Sequence, residues 1–181
     1  RYASSMLYLE DSKYYLNEFS GDWAKEMHIK SSELNYGKKI VDTRLGSRTN
    51  MFVEPFFEVG LGGKVRENEG KVIMGTIGWT GNYRFTFEVD HNNALRIISG
   101  INPDASAYSL KKGQVFRTPD FYFTYSENGI GEGSRNFQRW ALNHQLYKGK
   151  EDRLTLLNNW ENTYFDFNEE KLTGLIGEAK E

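Results

Sequence analysis

The 181-residue sequence contains no cysteine. That absence excludes disulfides, thiolate metal ligands and a cysteine nucleophile together. It leaves the redox compartment open. Proline is scarce too, with three residues. Charge of one sign is also lacking: 23 Lys and Arg stand against 25 Asp and Glu, a formal net charge of −2. Nucleic-acid binding would call for a basic excess or stripe, and no nucleic-acid partner is expected. No apolar stretch approaches the roughly 18 residues of a membrane-spanning helix, so no membrane partner is expected either. No secretory leader is read at the start, and the chain opens on Arg1 rather than methionine. It reads as a piece cut from something longer.

What is abundant is aromatic. Four Trp, eleven Tyr and twelve Phe make 15% of the chain, while the whole hydrophobic set is only 38%. Aromatic side chains favour pleated, half-buried surfaces, and 18 glycines supply the turns. Flat rings also stack on sugar faces, although most rings in such a composition fill the core.

From Arg1 to about Thr124 the hydrophobic period is about two rather than about 3.6. The pattern predicts strands at Ser5–Leu9 and Lys13–Leu16 around an Asp11-Ser12 turn, then Trp23–Ile29 and Asn50–Val59. Lys71–Trp79 and Tyr83–Val89 flank Thr80-Gly81-Asn82 and predict an antiparallel hairpin. In it Ile73, Gly75, Ile77 and Trp79 share one face, and Val72, Met74 and Thr76 the other. Leu95–Ser99, Ala107–Leu110 and Arg117–Tyr125 complete the series, which predicts a sandwich. After Tyr125 the character changes. Glu127–Gly133 reads as a glycine-rich turn and Ser134 as a helix N-cap. Phe137, Trp140, Ala141 and His144 follow at the spacing of one helical face. Leu154–Trp160 reads as a buried parallel strand. Asp166 or Asn168 then caps a second helix, with Leu172, Leu175, Ile176 and Ala179 on one face. The division expected is a β-sandwich over 1–126, a linker loop and helix over 127–152, and the start of a parallel β/α domain over 153–181.

Few residues suggest chemistry. The Gly129-x-Gly131-x-Gly133-Ser134 run lacks a P-loop lysine and G-x-G-x-x-G spacing, so a turn is preferred to a phosphate cradle. His28, His91 and His144 lie far apart with no ligand-like spacing; a structural role is expected, with no metal and no cofactor. Glu161 and Asp166 follow the last strand, but a glycosidase needs two carboxyl groups facing one bond, and these share a single loop. Trp160 stands out, a large ring among Asn158, Asn159, Glu161 and Asn162. Such polar company is poor core packing and good sugar packing, and from the residues alone a subsite and a packing role are both open.

The run from Leu156 to Leu172, LLNNWENTYFDFNEEKL, resembles the N-N-W-E-A-T-Y-F-D-F-x-E-x-K-L signature of bacterial α-galactosidases of glycoside hydrolase family 36. Further matches follow in the family's order: Trp23-x-x-Glu26, Pro55-Phe56, Gly75…Gly81-Asn82-Tyr83, Gly100-Ile101-Asn102-Pro103, Thr118-Pro119-Asp120, Tyr125-Ser126 and Gly129. The resemblance implies an antiparallel β-supersandwich, a linking helix and the first β/α unit of a (β/α)8 catalytic barrel. It implies a retaining enzyme acting on terminal α-galactosyl residues of oligosaccharides. Its nucleophile and acid/base aspartates lie beyond residue 181, so this chain alone is expected to be inactive. The resemblance places Trp160 and Asn162 at the sugar subsite, Trp160 stacking on galactose. It also implies a homo-oligomeric parent enzyme, and leaves its compartment, bacterial cytoplasm or periplasm, open. Asn162 replaces the family's alanine, Ser47-Arg48-Thr49-Asn50 lacks the histidine of the common S-S-H run, and Gly78-Trp79-Thr80 replaces V-Y-S. An α-N-acetylgalactosaminidase or a galactosyl transferase of the same family is an alternative, as is a non-catalytic carbohydrate-binding or oligomerisation sandwich.

Overall fold

A computed structural model describes residues 3–48, 51–104 and 106–180. Thr49 and Asn50, in the Ser47–Asn50 run and at the expected start of a strand, lie outside these. The chain divides into two compact units, Arg1–Ala141 and Leu142–Glu181.

The first unit is a sandwich of two antiparallel sheets. Its strands are β1 (Ala3–Glu10), β2 (Tyr14–Ser20), β3 (His28–Leu34), β4 (Gly37–Asp42), β5 (Val53–Leu61), β6 (Lys71–Ile77), β7 (Tyr83–Val89), β8 (Ala94–Ile101) and β9 (Phe121–Ser126). One sheet has the order β1-β8-β7-β4 and the other β3-β2-β5-β6-β9. Alternate residues point between the sheets, and Tyr14, Leu16, Phe57, Phe85, Leu95 and Ile97 there are fully buried. The Phe57 ring meets Phe85 and Phe87 edge-on at 5.1 and 5.0 Å. Burying each such side chain contributes about 1.5–3 kcal/mol. Two buried tyrosines tie the layers together through their hydroxyls. Tyr14 donates to the Asn93 carbonyl at 2.8 Å and Tyr83 to the Val53 carbonyl at 2.7 Å.

The expected hairpin across Thr80-Gly81-Asn82 is not formed. β6 pairs with β5 and β9, whereas β7 pairs with β4 and β8. Residues 78–82 cross between the sheets, and both ends of the crossing are already bonded within different sheets. Gly78 N–H donates to the Asp120 carbonyl at 2.8 Å, and the Asn82 carbonyl accepts from Asn102 N–H at 2.9 Å. The two faces of β6 are nevertheless as the alternation predicts. Ile73 and Ile77 enter the sandwich core, while Val72 and Met74 are buried on the outer face. Trp79 lies past the strand end and is 40% exposed. The tight hairpin is β7–β8, turned by Asp90–Asn93 with Asn93 at φ 60°. The Asp90 carboxylate accepts from the Ala94 and Asn92 amides, and these bonds hold it below the usual carboxylate range.

Other expectations also need correction. Trp23–Met27 is a loop rather than a strand: Asp22 and Lys25 exchange backbone hydrogen bonds, and Ala24 and Met27 have positive φ. Ala107–Leu110 forms no strand, because residues 102–120 carry the chain from one sheet to the other.

The outer face of the five-stranded sheet is covered by α1 (Gly129–His144). This helix begins at Gly129, so the glycine-rich stretch is its first turns and Ser134 is not a cap. Its leading N–H groups, which have no partner within a helix, are satisfied by the β5–β6 loop. Gly129, Ile130 and Gly131 donate to the carbonyls of Gly70, Arg66 and Glu67 at 2.9, 3.0 and 2.9 Å. Gly133 lies directly against Met74. Further along, Phe137 meets Phe56 at 5.9 Å and Trp140 meets Tyr122 at 4.5 Å. Glycine at these spacings is what lets the helix backbone approach the sheet.

Candidate functional site

In the second unit, the expected parallel strand at Leu154–Trp160 is absent. Residues 152–159 form no regular structure, and Leu154 and Leu156 are 96% and 88% exposed. A parallel strand needs neighbours to receive its slanted hydrogen bonds, and among the described residues none is available to it. Two helices follow, α2 (Trp160–Thr163) and α3 (Glu169–Glu178).

Trp160 therefore opens a helical turn rather than closing a strand. Its N–H is capped by the Asn158 side-chain carbonyl at 3.0 Å, and its own carbonyl accepts from Tyr164 N–H at 2.8 Å. Asn159 braces the turn through its amide, which donates to the Thr163 hydroxyl at 2.9 Å. The indole is 42% exposed. It is held edge-on by Tyr164 at 5.6 Å and Phe165 at 4.8 Å. The ring is thus oriented by its neighbours yet keeps open surface.

Asn162 projects from the same turn into a different environment. It lines a hollow of about 670 Å³ with Thr163, Asp166, Lys171, Gly174 and Leu175. Trp160 does not line that hollow, so the two expected sugar-contacting residues lie on one turn but not on one cavity. Lys171 crosses the hollow's edge to Asp166, Nζ to Oδ2 at 2.6 Å. Asn168, not Asp166, caps α3, accepting from Lys171 N–H at 2.9 Å. Over residues 158–178 five carboxylates face a single lysine, which disfavours an anionic ligand. Glu161 and Asp166 are both exposed, with Asp166 engaged by Lys171. The hydroxyl of Thr163 and the Asp166–Lys171 pair were not signalled by the sequence, since only the fold of the α2–α3 connection brings them to the hollow.

His28, His91 and His144 are surface residues. Among the described residues no group of three or more His, Asp and Glu side chains could hold a metal ion.

A family profile described as the glycosyl hydrolase family 36 N-terminal domain matches residues 1–111, and one described as melibiase matches residues 115–181. The chain belongs to glycosyl hydrolase family 36. It is 31% identical to the alpha-galactosidase AgaA of Geobacillus stearothermophilus over 169 residues, 89% of this chain and 22% of that protein. The crystal structure of the alpha-galactosidase from Lactobacillus brevis superposes with a TM-score of 0.88 at 33% identity, covering 98% of this chain and 24% of that one. A variant of AgaA solved in complex with stachyose superposes at 0.86 with 28% identity, over 94% of this chain and 24% of that one. The chain therefore spans about a quarter of the length of these family 36 relatives. Within the family frame, the two sheets match the N-terminal β domain, and the chain leads from it into the start of the barrel.

Proposed function

We propose that this chain is the N-terminal part of a retaining α-galactosidase that removes terminal α-galactosyl residues from oligosaccharides, with Trp160 and Asn162 in its galactose subsite. The observation that carries the reading is Trp160 itself, set in the family signature on a braced turn, in T-shaped contact with two rings and 42% exposed. Such a ring offers a galactose molecule a flat apolar platform. Leu154, Leu156, Phe165 and Phe167, near it in sequence, are exposed, and the rest of a barrel would cover them. Asn162 adds an amide that can donate to and accept from sugar hydroxyls, where the family signature has alanine.

A barrel assembles its site from several strands, so the two catalytic carboxyl groups belong to parts of the enzyme outside residues 1–181. The sandwich and linking helix, divided from the barrel near residue 152, act as scaffold and as a surface for homo-oligomer assembly. The stachyose complex of the AgaA variant supports galactosyl oligosaccharides as substrates.

The test is kinetic. In the full natural protein, Trp160→Ala is expected to lower kcat/KM on an aryl α-galactoside by about tenfold to a hundredfold, the loss of about 1.5–3 kcal/mol of ring burial, with an unchanged circular dichroism spectrum. Unchanged turnover in a folded variant makes Trp160 a packing residue. Absence of α-galactosidase activity in the unsubstituted protein refutes the proposal.

A further inference from the structure

The first unit carries a second aromatic site that the reading above does not use. Four chain segments meet at one end of the sandwich: the ends of β6 and β8 and the starts of β7 and β9, where Ile77 pairs with Phe121 and Tyr83 with Ile101. Between the 78–82 crossing and the 102–120 connection lies a cleft of about 780 Å³, lined by Trp79, Pro103, Tyr108, Leu110, Phe116 and Pro119 among others. That volume falls within the range of small-molecule sites, about 300–1,000 Å³. The rings are open: Tyr108 is 66% exposed, Trp79 40% and Phe116 38%. Tyr108 and Phe116 lie against each other with centroids 4.6 Å apart and planes inclined by 39°, making one continuous apolar wall.

The described residues of the connection that presents these rings form no helix or strand, yet it is anchored at both ends. Asn102 is fully buried, and its amide donates to the Thr43 carbonyl at 3.0 Å. Its side-chain oxygen accepts from Asp104 N–H at 2.9 Å, and its carbonyl accepts from the Ser106 hydroxyl at 2.6 Å. At the far end the Asp120 carbonyl holds Gly78 N–H. The lining contains no charged side chain, only rings, aliphatic groups and the hydroxyls of Ser106, Tyr108 and Thr118. A cleft of this composition favours a neutral ligand with an apolar face and hydroxyl edges, and penalises a charged one, which would be desolvated without a counter-ion.

We propose that the Trp79–Tyr108–Phe116 cleft is a second carbohydrate-binding site, which takes a neutral galactosyl oligosaccharide by ring stacking, apart from the subsite assigned to Trp160. The choice of a sugar over other neutral ligands rests on the α-galactosidase reading. The cleft holds substrate chains near the enzyme and takes no part in bond cleavage.

The experiment uses the full natural protein with a galactose-shaped iminosugar saturating the catalytic subsite, so that raffinose can neither enter it nor be cleaved. Raffinose is then titrated calorimetrically. Saturable binding is expected to persist, and to weaken about tenfold in both Trp79→Ala and Tyr108→Ala, the loss of one stacked ring. Tyr36→Ala, an exposed ring on the β3–β4 turn, is expected to bind as the unsubstituted protein does. Tyr108 is exposed enough that its removal leaves the fold intact, should Trp79→Ala fail to fold. No residual raffinose binding, or equal binding by the unsubstituted protein and Tyr108→Ala, overturns the proposal. Failure of the α-galactosidase reading is seen separately, as no turnover of an aryl α-galactoside. The raffinose titration then runs without the iminosugar, and the same Tyr108→Ala comparison decides the cleft.

Discussion

Gly129 is the point where the linking helix is fastened to the sandwich, and Gly129→Ala is expected to be among the most damaging single-methyl additions in the chain. Two costs combine. Gly129 has φ of +80°, and an L-residue in that left-handed region costs about 1–2 kcal/mol. A Cβ at this position would also lie 2.5 Å from the Glu67 carbonyl oxygen and 2.5 Å from the Glu69 nitrogen. These are backbone atoms, so relief requires the β5–β6 loop to move, at about 1–3 kcal/mol. That loop supplies the carbonyls that cap Gly129, Ile130 and Gly131, so moving it also weakens the helix start. The sum is about 2–5 kcal/mol, a large part of the usual stability of a domain. Gly113→Ala is the matched control: its φ is +83°, but nothing lies within 4 Å of the added Cβ, so only the left-handed cost of about 1–2 kcal/mol applies. Urea denaturation followed by tryptophan fluorescence gives both values. Equal destabilisation by the two substitutions would refute the argument from close packing.

Two further substitutions probe the sandwich. Asn102→Ala removes a fully buried amide and strands the Thr43 carbonyl and Asp104 N–H; a loss of about 2–3 kcal/mol is expected in thermal or urea unfolding. Glu58 is buried under the sheet face, with Asn17 donating to it at 2.9 Å. Burial pushes its carboxyl above the ordinary range, and the nearby Glu67 charge adds to this while the Asn17 bond opposes it. A raised carboxyl penalises the ionised folded state, so its contribution to stability is present in acid and is lost as pH rises through the raised value. Glu58→Gln lacks that loss, and its melting-temperature advantage is expected to grow between about pH 4 and about pH 7. A constant difference would contradict the assignment.

Periodicity made the sandwich legible where strands carry one apolar face, as in β2 and β8, and where both faces are apolar, as in β6. It misassigned the partner of β6, because a short polar stretch with glycine and asparagine serves equally as a hairpin turn or as a crossing between sheets. What decided between them was the pairing of Gly78 with Asp120 and of Asn82 with Asn102, contacts distant in sequence that no local pattern contains. The glycines at 129, 131 and 133 misled for a similar reason: they lower helix propensity, yet tertiary carbonyls satisfy the helix start and only glycine fits there. In the second unit the sequence left Asp166 and Asn168 both open as the helix cap, and the structure selects Asn168. The strand at Leu154 was not realised, since a strand's existence depends on neighbours. Trp160 was singled out by its polar surroundings, whereas the Trp79–Tyr108–Phe116 cleft, assembled from segments some thirty residues apart, left no signal in any single stretch.

The central claim is that the Trp160 turn forms part of a galactose site, and a crystal structure of the full natural protein with a bound galactose-shaped iminosugar tests it most directly. The account predicts the exposed face of the Trp160 indole lying over the carbon face of the sugar ring at about 4 Å, with the Asn162 amide directed at its hydroxyls. A sugar bound elsewhere, with the indole enclosed by aliphatic side chains, would contradict it.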